Sequence, residues 1–308
     1  MSGIIERERM VRNKEYIKGY VLALVSVIAL SNVYIFSKAA LKQVSFYQFG
    51  IYWFAFGMFW TLLYVRITGG FHHFKSMTAR GGRLLILLGL MDMMSTYFFF
   101  KAIHTIANPG IVSFIGNIGP AMVIIMSILL LSERLNDMEV LGVLLALSGA
   151  FVISYRGTDS LEGVFLHGSQ YILYGSMIGA TASVIIKKNI GSELPPVVLT
   201  VNRQVFLWLF SLVGLLWSGE SLSLPIQAMK NIAVGSLLGP FLTAITGFLA
   251  LQYIPLSHKA VIGSLKGVFV LLGSLLFFGL FPATRELAGG AVSILGVLLI
   301  SFGKMEKG

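Results

Sequence analysis

The sequence contains no cysteine, which excludes disulfide bonds, thiolate metal ligands and a cysteine nucleophile. Charged residues are also scarce: they make up 12% of the 308 residues, whereas an average soluble domain has about 25%. Hydrophobic residues make up 56% of the chain. This composition predicts an integral membrane protein, whose organisation is read from its apolar runs rather than from its length.

Motifs that carry catalytic chemistry are missing as well. The sequence has no GxxxxGK[ST] phosphate loop, no HExxH zinc motif and no GxSxG nucleophile motif. His72 and His73 are adjacent but have no spaced carboxylate or third ligand, so a metal site there is not expected. We therefore predict that the chain is not an enzyme, uses no cofactor or metal, and does not hydrolyse ATP.

Ten apolar runs are long enough to cross a bilayer, which takes about 20 helical residues. Runs this long and uniformly apolar are typical of helices, because barrel strands are about half as long and alternate in polarity. We predict an all-α membrane protein with ten transmembrane helices. The runs are 17–37, 46–65, 83–101, 109–131, 138–155, 169–187, 197–217, 230–251, 259–280 and 286–303.

The net charge of +10 is spread over the breaks between these runs, which argues against nucleic-acid binding. The side that holds the N-terminus, on which we place Lys259 at the start of the ninth run, carries more than twice as many Lys and Arg residues as the other side. By the positive-inside rule, both termini are expected in the cytoplasm and the protein in the cytoplasmic (inner) membrane as a multi-pass chain. The first run is too long for a cleaved signal, so we expect it to be a retained first helix.

The two halves of the sequence are alike. Residues 98–142 can be laid over residues 247–290 with a shift of 147 or 148, and SNVYIFSKAALK at the end of run 1 matches TASVIIKKNIG at the end of run 6. Since each half has five spans, the second half must be inserted upside down, and inverted repeats are typical of secondary transporters. The predicted parts are a cytoplasmic tail (1–16), two five-helix repeats (17–160 and 161–303) and a second cytoplasmic tail (304–308).

Ten predicted spans form two five-span repeats, with SNVYIFSKAAL at the end of run 1 and PAMVIIMSILLLSERL from Pro120 to Leu135. In these features the sequence resembles the drug/metabolite transporter superfamily of the EamA-like type. The resemblance covers almost the whole chain. It implies that helices 1–4 and 6–9 enclose a central cavity, with helices 5 and 10 at the edge, where they could support a homodimer. It also implies export or exchange of small metabolites without ATP, and it leaves the substrate open.

Charged residues at membrane depth are costly and are usually functional or paired. Lys266 lies about seven residues, or roughly 10 Å, into the ninth run. It is a candidate cationic ligand for a substrate carboxylate or phosphate; alternatively it pairs with Asp92 or extends towards the headgroups. Gly263 and Gly267 form a GxxxG pair beside it, which favours close helix packing and makes both glycines candidates for gating.

Asp92, Ser95 and Thr96 share one face of the third helix, since they are spaced i, i+3 and i+4. This polar stripe predicts a cavity wall. Asp92 is a candidate for proton coupling or amine binding, and the alternative is an ion pair with Lys266 or with a lysine near a helix end. Arg203 is a candidate substrate ligand. Alternatively, its side chain extends towards the cytoplasmic headgroups.

Asn117 and Asn32 could supply neutral hydrogen bonds to a substrate, although amides between helices often only join two helices. Pro120 follows Asn117 and frees a backbone carbonyl one turn earlier, which permits a kink. That kink could act as a gate or be a static bend.

Together these patterns predict a secondary transporter, an exporter or exchanger of small polar metabolites, working by alternating access. Intramembrane bases outnumber acids, which favours carboxylate-bearing substrates such as amino acids or organic acids. Its partners would be a small molecule and the lipid bilayer. The alternatives are a flippase for a lipid-linked intermediate and a membrane assembly partner without transport activity. The predicted substrate ligands are Lys266, Asn32, Asn117, Ser95, Thr96 and Arg203.

Overall fold

The computed structural model describes residues 2–75, 78–131, 136–155, 166–190 and 193–305. Within these ranges the chain is helical and has no β-strand, only an isolated bridge between Ile190 and Leu194. The helices are α1 (Ser2–Leu41), α2 (Phe46–Thr68), α3 (His72–Lys75), α4 (Ala79–Thr105), α5 (Pro109–Ile115), α6 (Ile118–Leu131), α7 (Asp137–Ser154), α8 (Ser169–Asn189), α9 (Pro196–Ser218), α10 (Ile226–Ser236), α11 (Ala244–Tyr253), α12 (Leu256–Ser264), α13 (Lys266–Phe278) and α14 (Thr284–Met305), with a π-helical segment (Leu237–Thr243) between α10 and α11.

A helix, or a helix interrupted by a break, lies at each of the ten apolar runs. The all-helical prediction is therefore confirmed, whereas ten membrane crossings and the side of the termini stay predictions. Six helical stretches of the described chain are long and apolar enough to cross a membrane: Glu15–Leu41, Phe46–Thr68, Ala79–Thr105, Pro109–Met126, Pro196–Ser218 and Ile226–Tyr253.

Local sequence signals set where several helices begin and end. Ser45 and Gln48 form a capping box at the start of α2, and Gly69 ends that helix with φ at 69°. Asn136 and Glu139 form the equivalent box at the start of α7. These side chains satisfy backbone N–H groups that a helix leaves without intrahelical partners, so the polar breaks fix the span boundaries.

The fourth span is broken at Gly116 and Asn117, between α5 and α6. Pro120 explains the position of the break, because it has no N–H to donate to the carbonyl of Gly116 four residues earlier. The N–H of Gly119 bonds to that carbonyl instead, at 3.1 Å. The ninth span is broken at Leu265, between α12 and α13, and the eighth contains the π-helical segment around Pro240.

The fifth and tenth spans, α7 and α14, pack against each other through glycines. A Cβ atom added at Gly149 would lie 2.5 Å from the carbonyl oxygen of Gly289, and one added at Gly296 would lie 2.6 Å from that of Gly142. Gly142 corresponds to Gly289, and Gly149 to Gly296, under the 147-residue shift. These contacts show that the equivalent helices α7 and α14 run antiparallel to each other, as expected for inverted repeats. The predicted homodimer would have to use other faces of these helices.

Candidate functional site

A cavity of about 450 Å³ lies between the two halves and is lined by both of them. Its walls come from the first four spans and from spans six to nine, and α7 and α14 contribute none of the lining residues among those described. Most of the wall is apolar. Its aromatic side chains are Tyr34, Trp53, Phe54, Phe99, Phe100 and Tyr171.

Lys266 is buried at the start of α13 and lines this cavity, with 9% of the residue exposed. Its Nζ donates a hydrogen bond to the carbonyl of Gly116, at 3.2 Å. Gly116 also lines the cavity, at the break between α5 and α6 that Pro120 produces. The cation of the broken ninth span, Lys266, is therefore hydrogen-bonded to the backbone of the broken fourth span at Gly116.

The two glycines beside Lys266 have different surroundings. A Cβ atom added at Gly263 would meet nothing within 4 Å, and Gly263 lines the cavity. A Cβ atom added at Gly267 would lie 2.9 Å from the ring of Phe114. The expected packing contact therefore holds for Gly267, whereas Gly263 faces open space.

Asp92 pairs with Arg203 of α9 in the structure and not with Lys266. The Arg203 Nε lies 3.8 Å from the Asp92 Oδ1, and the Arg203 Nη2 donates to the Thr96 Oγ1 at 3.2 Å. Arg203 lines the cavity, as expected for a candidate substrate ligand. The polar stripe on α4 thus holds a cation from the opposite half of the chain.

The remaining predicted ligands divide into two groups. Ser95 lines the cavity and donates to the carbonyl of Gly175, at 3.0 Å. Asn32 lies outside the lining and donates to the carbonyl of Ile28 one turn earlier, at 2.9 Å. Asn117 is fully buried outside the lining, and its amide has no hydrogen-bond partner among the described residues. The predicted residues that meet at the cavity are Lys266, Ser95, Thr96, Arg203, Pro120 and Gly263.

Lys259 is the cavity cation that the sequence reasoning missed. It begins the ninth apolar run, and we therefore expected it at the cytoplasmic surface. The structure places it in the cavity wall with Gly263 and Lys266. The signal that could have found it is the spacing, since residues at i, i+4 and i+7 share one helical face.

Comparison with known proteins assigns this fold. The sequence profile of the EamA-like transporter family matches residues 17–155 and again residues 166–302. The chain belongs to the EamA-like transporter family. It is therefore a multi-pass membrane transporter of small solutes.

A solved structure titled "Crystal structure of protein" resembles the fold, with a TM-score of 0.63 and 16% sequence identity. The match covers 90% of this chain and 98% of that one. At this identity it supports the fold alone. No curated protein matches the chain.

Proposed function

We propose that the protein is a secondary transporter that exports or exchanges small carboxylate-bearing metabolites, such as amino acids or organic acids, across the cytoplasmic membrane. The observation that carries this proposal is the state of Lys266, a buried cation in the cavity wall. Among the described residues, the only hydrogen-bond acceptor of its Nζ is a backbone carbonyl. A buried charge is costly unless it is paired. A substrate carboxylate would supply the missing counter-charge.

The distribution of charge favours an anion over an amine. Arg203, Lys259 and Lys266 all line the cavity, whereas Asp92 lies outside the lining and partly neutralises Arg203. The aromatic walls would contact the apolar part of a substrate. The volume of about 450 Å³ is within the range of small-molecule sites, roughly 300–1,000 Å³.

Contacts at the two ends of α9 support alternating access. At one end, the Ser45 hydroxyl donates to the carboxylate of Glu220. At the other end of α9, the hydroxyl of Thr78, the residue that caps α4, donates to the carboxylate of Glu193. Each bond joins the two halves, and the two carboxylates lie at opposite ends of α9, since Glu193 precedes that helix and Glu220 follows it. At the Ser45 end, Gln48 and Tyr52 also donate to the carbonyls of Ser221 and Leu222, so opening the cavity there would require this group of bonds to break.

A counterflow assay on purified protein in liposomes tests this function. The liposomes are loaded in turn with members of a broad panel of amino acids and organic acids, and uptake of the same labelled compound is measured. We expect exchange of at least one carboxylate, reduced by about tenfold or more in Lys266→Met. Lys188→Met, which removes an exposed lysine from α8, is the matched control and should exchange normally. If wild-type protein exchanges no member of the panel, the proposed function is wrong.

A further inference from the structure

We infer that the substrate carries two separated acidic groups, one bound at Lys266 and the other at Lys259. This inference rests on the proposed function, because it concerns the same cavity and the same class of anion. It assigns Lys259 as a second substrate-binding residue and narrows the substrate from a carboxylate to a compound with two acidic groups.

The first support is the placement of the two lysines in one wall. Lys259 on α12 and Lys266 at the start of α13 both line the cavity, with Gly263 between them. Seven residues of chain separate them, with the break at Leu265 just before Lys266, which corresponds to about 10 Å at the helical rise per residue. Because Gly263 has open space in front of it, no side chain divides the wall between the two ammonium groups. An extended ligand could lie along this strip and reach both.

The second support is that both lysines lack an anionic partner. No carboxylate among the described residues lies within ion-pair distance of Lys259 or Lys266. The other cations nearby are already engaged. Arg203 pairs with Asp92. The Lys187 Nζ donates to the carbonyls of Leu251 and Ile254, at 2.7 and 3.1 Å.

The ammonium group of Lys259 lies close to the backbone of a glycine on a neighbouring helix. A Cβ atom added at Gly247 of α11 would lie 3.3 Å from the Lys259 Nζ. A larger residue at Gly247 would therefore press on this group. Within the described chain, the Lys259 Nζ has no hydrogen-bond acceptor, although the cavity wall around it is mostly apolar.

The charge balance then distinguishes one acidic group from two. A single carboxylate bonded to Lys266 at the helix break would leave Lys259, seven residues earlier, without a counter-charge. Unpaired charges inside a membrane protein are costly, and like charges repel. A second acidic group at the other end of the substrate would neutralise Lys259 and hold the molecule along the wall.

Matched ligands test this inference directly. The probes are straight-chain dicarboxylates of about four to eight carbons and the monomethyl ester of each, which differ by one negative charge and little in length. Binding to purified protein is measured from the ligand dependence of the unfolding temperature, and exchange is measured by counterflow in liposomes. The variants are Lys259→Met, Lys259→Gln and Lys259→Arg, with Lys188→Met as the control.

We expect at least one dicarboxylate to bind wild type about tenfold or more tightly than its monoester. Lys259→Met and Lys259→Gln should abolish this preference, because they weaken dicarboxylate binding about tenfold or more relative to monoester binding. Lys259→Arg and Lys188→Met should retain the preference. The unfolding temperature without ligand and the elution profile show which variants are folded, and either neutral variant is sufficient for the test.

Two results overturn the inference and leave the proposed function standing. In the first, wild type binds and exchanges the monoesters as well as it does the dicarboxylates. In the second, the neutral Lys259 variants keep the dicarboxylate preference. If wild type neither binds nor exchanges any carboxylate in this set or in the broad panel, both the proposed function and the inference are wrong.

Discussion

Lys38 and Lys187 make equivalent contacts in the two halves of the molecule, each donating its ammonium protons to backbone carbonyls at the C-terminal end of a neighbouring helix. These carbonyls have no intrahelical donors, and a cation is favourable at a helix C-terminus. The similar sequences that end runs 1 and 6 thus form the same structural contact twice. Lys38 bonds to Ile103, His104 and Ile106 at 2.7, 3.0 and 2.8 Å, and Lys187 bonds to Leu251 and Ile254 at 2.7 and 3.1 Å.

We predict that Lys38→Met and Lys187→Met each destabilise the fold. Each substitution leaves buried or half-buried carbonyls without a donor, at a cost of about 1–3 kcal/mol in the free energy of unfolding. Thermal unfolding of the purified variants in detergent measures the effect. Lys188→Met, at an exposed neighbouring position, should unfold like wild type. Unfolding of Lys38→Met at the temperature of Lys188→Met would show that the helix ends do not depend on the lysine.

Gly263 and Gly267 should respond in opposite ways to the same substitution. Gly263→Ala adds a methyl group to open space and removes a helical glycine, so stability should be unchanged or rise by up to about 1 kcal/mol. Gly267→Ala places a methyl group against the ring of Phe114 and should destabilise by about 1–3 kcal/mol. Comparison of the two unfolding temperatures checks this assignment of one cavity-facing and one packed glycine.

A larger residue at Gly263 tests the cavity itself. Gly263→Leu would extend into the cavity between Lys259 and Lys266, so we expect counterflow to fall by about tenfold or more with little change in unfolding temperature. A variant that folds like wild type and exchanges the same substrate at the same rate would place the transport path elsewhere.

The sequence predicted the helices and the repeat because both depend on local patterns. Apolar runs and polar breaks identified helix at every predicted span, and the 147-residue shift relates the glycines that the structure packs between α7 and α14. The inward position of Lys266 was also expected, because an ammonium group within an apolar run is tolerated beside a polar cavity and not in lipid.

The contacts within the site depend on packing between distant helices, which local patterns do not specify. Asp92 had several cations in reach, and the choice of Arg203, 111 residues away, follows from how α4 packs on α9. Lys259 was assigned to the surface because it begins an apolar run, but α12 begins at Leu256, so Lys259 lies within the helix whose residues line the cavity. The amide of Asn32 donates to a carbonyl of its own helix and lies outside the cavity lining, and its role as a substrate ligand stays a prediction.

We predict that Asp92 couples transport to protons through its position beside Arg203. Asp92→Asn keeps the shape of the side chain but cannot bind and release a proton, so uptake driven by a pH gradient should be lost. Counterflow, which needs no driving ion, should remain within a few-fold of wild type. Asp137→Asn, at an exposed site on α7, is the matched control. Loss of both activities in Asp92→Asn would instead assign the carboxylate a role in holding Arg203.

We predict that Pro120 affects transport because its missing N–H group leaves the carbonyl of Gly116 free to accept a hydrogen bond from Lys266. Pro120→Ala restores an N–H group that can bond to the carbonyl of Gly116, which would straighten the break between α5 and α6 and compete with the Lys266 Nζ. Pro120 is the third residue of α6, where proline is tolerated, so the added hydrogen bond should raise the free energy of unfolding by only about 1 kcal/mol. Counterflow should nevertheless fall, since Lys266 loses the position in which it meets the substrate. Pro225→Ala, at the exposed start of α10, should change neither quantity. A more stable Pro120→Ala protein with unchanged counterflow would show that the break is a static bend.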